Sequence, residues 1–180
     1  MKATGIVRRI DDLGRVVIPK EIRRTMRIRE GDPLEIFTNT DGEVVFKKYS
    51  PIGELSPFAA QYADVLSRAT GQSVLICDRD HVVACAGVPR KECAERRISR
   101  ALEELMESRQ THIARAGERE RLQPVEGLDR FAAVAAPILA AGDITGAVCL
   151  LLPETGAIPG ESDVKLVQVA AAFLGKQMEE

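Results

Sequence analysis

The first fifty residues constrain the fold most, because short apolar runs alternate there with turn-forming residues. Residues 4–10 and 15–18 are rich in β-branched side chains, which favour strands. Between them, Asp11, Asp12 and Gly14 are typical of a turn, and Gly14 adopts positive φ without strain. The opening segment therefore predicts two strands joined by a tight connection.

A short helix and a second hairpin are expected next. Pro19 suits the first position of a helix, and the pattern ends near Met26. Residues 34–38 and 43–48 flank Asn39-Thr40-Asp41-Gly42, a strong hairpin signal. The expected order of elements is ββαββ.

This unit is too small to be stable by itself. A chain of about fifty residues buries only about 60% of its unfolded surface, and these residues contain no cysteine for a disulfide. Association with a second copy is the remaining source of stability, so we expect an obligate dimer.

The charge of this region is opposite to that of the rest. Before residue 30 there are nine basic and three acidic side chains, a net charge of +6 in a protein whose total is −2. Residues 1–50 carry +3 (11 − 8) and residues 51–180 carry −5 (14 − 19). Such asymmetry indicates a polyanionic partner, and double-stranded DNA is the first candidate.

Residues 50–71 predict a helix that connects two domains. Ser56 suits its N-cap, Pro57 its first turn and Gly71 its end, although a start at Ser50-Pro51 also fits.

Two helices carry apolar residues at spacings of three and four. This pattern is typical of helix pairing, so it predicts a bundle between subunits; for the first of the two helices, packing on its own domain is the alternative. The residues are Leu55, Phe58, Tyr62 and Val65 in the first helix, and Val164, Val167, Ala171, Leu174 and Met178 in the last.

The intervening residues predict a mixed α/β domain. We expect a helix over residues 91–109 and a final helix after Pro159-Gly160. The expected strands are 73–78, 81–86, 131–139 and 144–152, with weaker candidates at 111–114 and 121–125.

The cysteines do not form a zinc motif. Cys77, Cys85, Cys93 and Cys149 contain no Cys-x-x-Cys pair, and two histidines occur in the chain, so we expect no metal and reduced, packed thiols. An alternative is redox sensing by Cys77 and Cys85, which would face each other across a hairpin. We also expect no signal peptide, no membrane span, no cofactor and no enzymatic activity.

The opening segment resembles the AbrB-like swapped-hairpin DNA-binding family. The whole chain resembles the stage V sporulation protein T family, transcription regulators of spore-forming bacteria. The residues that carry these resemblances are Thr4-Gly5-Ile6-Val7-Arg8, Asp12-Leu13-Gly14-Arg15-Val16-Val17-Ile18-Pro19, Glu21-Ile22-Arg23-Arg24 and Val74-Leu75-Ile76-Cys77-Asp78-Arg79-Asp80.

The resemblance implies an α+β protein in three parts. Residues 1–50 would form a dimeric swapped-hairpin β-barrel, residues 51–71 a linking and dimerisation helix, and residues 72–180 a GAF domain with flanking helices. It also implies a tetramer joined by helical bundles. Whether the GAF domain binds a small molecule or serves only as a scaffold is left open.

The resemblance further implies which side chains contact DNA. These are Arg8, Arg15, Arg23 and Arg24, with Lys2, Arg9 and Lys20 as secondary candidates for phosphate. The arginine side chain suits this role because its fork of donors fits phosphates and guanine edges. The alternative is that some of these arginines pair with Asp11, Asp12 or Glu21 on a solvated face.

The function expected is that of a bacterial, sequence-preferring DNA-binding transcription regulator, an activator or repressor of sporulation genes, in the cytoplasm and at the nucleoid. The alternatives are a GAF interaction module whose N-terminal barrel only assembles subunits, and an antitoxin-type regulator.

Overall fold

The computed structural model describes residues 4–118 and 120–179. Its chain divides into two compact units, Met1–Tyr49 and Ser50–Glu180, and each is described by itself.

The first unit contains one short helix and one hairpin. Helix α1 is Lys20–Thr25, strand β1 is Leu34–Thr38 and strand β2 is Val44–Lys48. The strands are antiparallel, with Ile36 opposite Phe46. Asn39 fixes the turn, because its side-chain oxygen accepts hydrogen bonds from the backbone N–H groups of Asp41 (3.2 Å) and Glu43 (2.9 Å). The predicted helix and second hairpin are present.

The first predicted hairpin differs from expectation. No strand occurs among residues 4–33 of the described chain, and the two sheets of the described residues are open, so the single chain contains no closed barrel. A strand needs a neighbouring edge to pair with, and this segment finds none among the described residues of its own unit. Its apolar side chains are correspondingly exposed, Val7 by 87% and Val17 by 72%.

The second unit is built on one antiparallel sheet of five strands in the order β4-β3-β7-β6-β5. The strands are β3 (Val74–Cys77), β4 (Val82–Ala86), β5 (His112–Ile113), β6 (Ala132–Ala140) and β7 (Asp143–Leu151). The four main strands lie where the apolar runs predicted them, and β5 lies within the weaker candidate at 111–114. Residues 121–125 form no strand and contribute only a bridge between Val125 and Ile98.

Helices cover both faces of this sheet. They are α2 (Pro51–Glu54), α3 (Ser56–Thr70), α4 (Arg90–Cys93), α5 (Arg100–Ser108) and α6 (Glu161–Gln177). Residues of α3 and α6 pack with Ile76, Val134 and Leu150 in one buried cluster. Residues of α5 pack with Leu75, Ala135 and Cys149 in a second. Because successive strand residues point to opposite faces, the continuous apolar strands fill both clusters.

Two glycines allow close backbone approach. A Cβ at Gly146 in β7 would overlap the carbonyl group of Cys77 in β3. A Cβ at Gly175 in α6 would overlap the carbonyl group of Leu139 in β6. Neither has a positive φ, so it is space and not conformation that requires glycine here.

The helix predicted over residues 91–109 is divided in two. Residues 94–99 leave the helical path, and Glu95 has a φ of 59°. The second helix begins at Ser99, whose side-chain oxygen accepts a hydrogen bond from the N–H of Leu102 at 3.1 Å. Ser99 is therefore an N-cap inside a pattern that predicts one continuous helix.

The connecting helix also begins differently. Ser50 is the N-cap of α2, accepting a hydrogen bond from Gly53 at 3.1 Å, and it donates one to Asp78 at 2.9 Å. Ser56 makes no capping bond, whereas Gly71 ends α3 with a φ of 68°, as predicted. Both helices belong to the second unit, so residues 51–70 are part of that compact unit.

The predicted seam of α6 falls largely inside its own domain. Val167, Ala171 and Leu174 are at most 3% exposed and pack on the sheet, so they are removed from the expected contact between subunits. Val164 and Met178 are partly buried against the same cluster. The spacing of three and four in α6 therefore marks its core-facing side, and the prediction of an interface between subunits does not hold for these three residues.

An apolar surface nevertheless lies across α3 and α6. Phe58, Tyr62 and Phe173 form a ring cluster with centroids 5.7–6.3 Å apart. Val65 (65% exposed) and Val169 (61% exposed) are the most accessible apolar residues of the two helices. We call these five residues, together with Leu166, the α3–α6 face. Leu55, at the start of α3, is half-buried. Partial burial raises the pKa of Tyr62 above its usual value.

The cysteine pairing differs from the prediction. Cys85 forms a disulfide with Cys93, not with Cys77, and Cys77 and Cys149 are buried thiols. Cys77 does not face Cys85 because Leu75 is the residue paired with Cys85 across β3 and β4. Among the described residues no group of three or more side chains is arranged to hold a metal ion, and no helix has the length and hydropathy needed to cross a membrane.

Candidate nucleic-acid interface

Side-chain hydrogen bonds hold the turn between residues 11 and 15 in the basic segment. One carboxylate oxygen of Asp11 accepts hydrogen bonds from the backbone N–H groups of Leu13 (3.0 Å) and Arg15 (2.8 Å). Its other oxygen accepts one from Nε of Arg15 at 2.8 Å. Gly14 completes the turn with a φ of 77°. Asp11 is therefore the residue that positions Arg15.

Hydrogen bonds also stabilise the ionised form of the Asp11 carboxyl group. The backbone and side-chain donors of Arg15 lower the pKa of this carboxyl below its usual value. The alternative interpretation, in which some arginines pair with nearby acidic side chains, thus applies to Arg15, which pairs with Asp11. Its side chain is still 69% exposed, so the unpaired nitrogens of the guanidinium group remain accessible to a phosphate.

The other basic candidates lie on the surface. Arg8, Arg9, Lys20 and Arg24 are exposed. Lys20 and Arg24 belong to α1, where a spacing of four residues places them on the same side of the helix. Lys2 lies outside the described residues. The structure thus leaves this surface open to a large, rigid anion such as a duplex.

Arg23 differs from these neighbours. It is half-buried, and its Nε is buried without a hydrogen-bond partner among the described residues. A buried unsatisfied donor is costly in a folded protein. Of the predicted contacts, Arg23 is the one that the isolated chain leaves unsatisfied.

The following loop is held by ionic contacts for which the sequence carries no signal. Lys48 donates a hydrogen bond to the carbonyl group of Arg27 at 2.8 Å and lies 3.9 Å from the carboxylate of Asp32. Asp32 also accepts a hydrogen bond from the N–H of Arg29 at 2.8 Å. Lys48 therefore ties the loop after α1 to strand β2.

The second unit contains a cavity of about 520 Å³ next to the ends of β5, β6 and β7. Its charged lining is largely engaged. Arg130 pairs with Glu154 at 3.5 Å, and Arg121 lies over the ring of Phe131 at 5.7 Å. The cavity has the size of a small-molecule site, but its charges are balanced within the protein.

The fold of the second unit is that of a GAF domain. It is similar to the GAF domain from a phosphoenolpyruvate-protein phosphotransferase of Coxiella burnetii, with a TM-score of 0.52 and 17% identity over 67% of this chain and 80% of that chain. At that identity the likeness concerns the fold alone. A basic first unit followed by a GAF-type sheet defines a two-part protein in which a small basic unit is joined to a GAF-type domain.

The chain belongs to the stage V sporulation protein T family. Residues 54–179 match the family model described as stage V sporulation protein T C-terminal, transcription factor. Stage V sporulation protein T of Bacillus subtilis (strain 168) is 52% identical over 182 residues, covering 100% of both chains.

The first unit has relatives of its own. The transition state regulatory protein AbrB of the same organism is 48% identical over 75 residues, which are 42% of this chain and 77% of AbrB. Residues 7–53 also match the model described as antidote-toxin recognition MazE, bacterial antitoxin.

Proposed function

We propose that this chain is a bacterial, sequence-preferring DNA-binding transcription regulator. The observation that carries the proposal is the exposure of the basic side chains of the first unit, which are Arg8, Arg9, Arg15, Lys20 and Arg24. Support comes from the family described as a transcription factor and from the similarity of this unit to AbrB. The regulated genes include sporulation genes, and the protein acts in the cytoplasm on nucleoid DNA.

The DNA-binding form in this proposal is a dimer of first units. Val7, Ile10, Leu13 and Val17 are each at least 69% exposed in the single chain, and a folded protein rarely leaves so many neighbouring apolar residues in water. Two copies that exchange their opening hairpins would bury these residues and pair residues 4–10 and 15–18 as strands. Each arginine would then be presented twice along the duplex.

The second units assemble these dimers into a tetramer. The α3–α6 face supports this step, because its exposed apolar side chains have no cover among the described residues of the chain. Joining two DNA-binding dimers raises the avidity for two neighbouring sites by effective concentration.

A small molecule bound in the GAF-type unit would control the regulator. Its site in this proposal is the cavity next to the ends of β5, β6 and β7. No enzymatic step is part of the proposal.

The antitoxin alternative rests on the match of residues 7–53 alone. The match of residues 54–179 to a transcription-factor family favours the regulator instead.

The test is DNA binding by arginine variants of the full-length protein. The duplex is first selected by the protein from a random library, and affinity is then measured by fluorescence anisotropy. Arg24→Ala and Arg15→Ala should each weaken binding by about 10- to 100-fold, because a charge-assisted hydrogen bond contributes about 1.5–3 kcal/mol. The slope of log affinity against log salt concentration should also become shallower by about one for each phosphate that the variant no longer neutralises.

The matched control is Arg100→Ala. This arginine is 87% exposed, pairs with Glu104 in α5 and belongs to the second unit. The substitution removes the same charge and should leave DNA affinity unchanged. Equal weakening by Arg24→Ala and Arg100→Ala, or a binding constant indifferent to salt in the unmodified protein, would contradict the proposal.

A further inference from the structure

The disulfide between Cys85 and Cys93 encloses a small segment of the second unit. Cys85 lies in β4 and Cys93 ends the one-turn helix α4, with Cα atoms 6.9 Å apart and a sequence separation of eight residues. The chain turns back at Gly87, which has a φ of 72°. The bridge therefore returns residues 87–93 to the strand they have just left.

After the disulfide, backbone hydrogen bonds attach the chain to the same strand, β4. The backbone N–H of Val82 donates to the carbonyl group of Arg96 at 2.9 Å, and that of Glu95 donates to Val82 at 3.2 Å. Helix α4 lies between this attachment and the end of β4, and no side-chain hydrogen bond caps its N-terminus. The carbonyl group of Gly87 also accepts a hydrogen bond from the Ser73 hydroxyl at 2.8 Å, and Val88 packs in the second buried cluster. Residues 87–94 are thus held at their ends by the disulfide and the Val82 pairing, and between them by these two contacts.

The four cysteines differ in access. Cys85 is half-buried and reachable from solvent, whereas Cys93, Cys77 and Cys149 are fully buried. A hydrogen bond with Cys149, together with burial, raises the pKa of the Cys77 thiol well above its usual value. Since the thiolate is the reactive form, the raised pKa makes Cys77 unsuited to thiol–disulfide exchange. Cys85 is the one cysteine that is accessible to a dissolved reagent.

The second unit has a substantial apolar core besides its disulfide. It contains two buried apolar clusters, one on each face of its sheet. Disulfides that compensate for a small core belong to small secreted domains, whereas a disulfide in a protein that acts on cytoplasmic DNA is characteristically transient or redox-sensing. The choice of compartment rests on the proposed function, but the chemistry and its test do not.

We propose that Cys85 and Cys93 are a site of reversible oxidation by low-molecular-weight disulfides, which fastens residues 87–94 to β4 when oxidised and releases them when reduced. The Cys85 thiolate attacks one sulfur of the small disulfide and expels one small thiolate, giving a mixed disulfide. The Cys93 thiolate then attacks the Cys85 sulfur and expels the second. The two protons lost by the cysteines are taken up by the two released thiolates, and two electrons pass from the protein to the reagent.

The experiment equilibrates the full-length protein in mixtures of reduced and oxidised glutathione. Free thiols are then trapped with N-ethylmaleimide under denaturing conditions and counted by intact mass. Because the chain has four cysteines and one disulfide, four adducts are expected in the reduced protein and two in the oxidised protein. Peptide mapping should place the bond between Cys85 and Cys93, and dithiothreitol should restore four adducts without unfolding.

Variants make the assignment specific. Cys85→Ser and Cys85→Val should each abolish the transition, and the second keeps an apolar side chain in case serine destabilises the strand. Cys149→Val removes a buried thiol outside the pair and should leave the transition intact, with one adduct fewer in both states.

Hydrogen exchange reports whether the segment is released. Reduction should speed exchange of the amides in residues 87–94 by at least about tenfold, with little change in β6 and β7. It should also lower the melting temperature by roughly 5–10 °C, because a short closed loop is opened.

Four outcomes would overturn the proposal. These are a bond that forms with Cys77 or Cys149, an adduct count that stays at four in oxidised glutathione, a bond that resists dithiothreitol until the protein unfolds, and exchange in residues 87–94 that is unaffected by reduction. A failure of DNA binding in the preceding experiment would leave these measurements unaltered, so the two proposals fail separately.

Discussion

The two units of this chain differ in how much of their apolar surface they bury within one molecule. In the described part of the first unit Pro19 alone is buried, and several of its β-branched residues face solvent. In the second unit both faces of the sheet are covered and the central strands are buried along most of their length. The apolar side chains of the first unit therefore stay largely in solvent in the single chain, whereas those of the second unit are covered within one molecule.

The difference follows from length and topology. The second unit has enough chain to place helices on both faces of its sheet, so its strands find partners and cover within one molecule. The described part of the first unit has one hairpin and one helix of six residues, and its opening segment has no edge to pair with. The comparison predicts that charged substitutions at exposed apolar residues of the first unit will weaken dimerisation. In the second unit they should weaken mainly the assembly of dimers into tetramers.

The largest expected effect is at the close approach in the second unit. Gly146→Ala should lower the free energy of unfolding by about 3 kcal/mol or more, because the new methyl group overlaps the Cys77 carbonyl group and pushes two central strands apart. Chemical denaturation followed by circular dichroism measures it.

The control for this prediction is Gly142→Ala in the turn between β6 and β7. Gly142 has open space around it but a φ of 87°, so alanine there should cost only about 1–2 kcal/mol of backbone strain. A smaller destabilisation at Gly146 than at Gly142 would show that the sheet yields at this point.

The next effect concerns the first unit. Val17 is 72% exposed in the single chain, yet Val17→Asp should weaken dimerisation of the full-length protein by about 100-fold, because a charge would be buried in the paired form. Sedimentation at a series of concentrations measures it. Thr40→Asp, in the exposed hairpin turn, adds the same charge and should have no effect; equal behaviour of the two would mean that Val17 stays in solvent.

A smaller effect is expected at the α3–α6 face. Val169→Asp should weaken the assembly of dimers into tetramers by about tenfold or more while leaving the melting temperature of the second unit unchanged, since Val169 is 61% exposed. Gln168→Asp, at an exposed neighbour on the same helix, is the control. Unfolding of Val169→Asp would place this residue in the core instead.

The smallest effect is a titration. The pKa of Asp11 is lowered from its ordinary value of 3.8 by hydrogen bonds from Arg15. A lowered folded-state pKa stabilises the turn above the unfolded value, and this contribution disappears as the pH falls through the folded value. The carboxyl signal of Asp11 in NMR should therefore titrate with a midpoint below 3.8, and Arg15→Ala should move the midpoint upward. A midpoint at or above 3.8 in the unmodified protein would remove Asp11 as the organiser of the turn.

Sequence patterns are sufficient where one structural cause produces the pattern. The runs around Ala140 and Gly142 predict β6 and β7, because continuous apolar residues bounded by a turn have one outcome in a sheet covered on both faces. The hairpin at Asn39 is likewise fixed by local chemistry.

Patterns fail where two causes share one period. The spacing of Val167, Ala171 and Leu174 suits an interface between subunits as well as a core, and in the structure it is the core. The cysteine pairing depends on the chain reversing at Gly87 and on α4 ending at Cys93, neither of which has a signal in the spacing of the cysteines. The arginines named for DNA contact stay predictions.

The close approach of Gly175 to Leu139 restricts how α6 can move relative to β6. With no side chain between the helix and the strand, α6 cannot slide along β6 without a steric collision. Any displacement of α6 along its axis would therefore have to carry β6 with it, so the helix and the strand would move as one body.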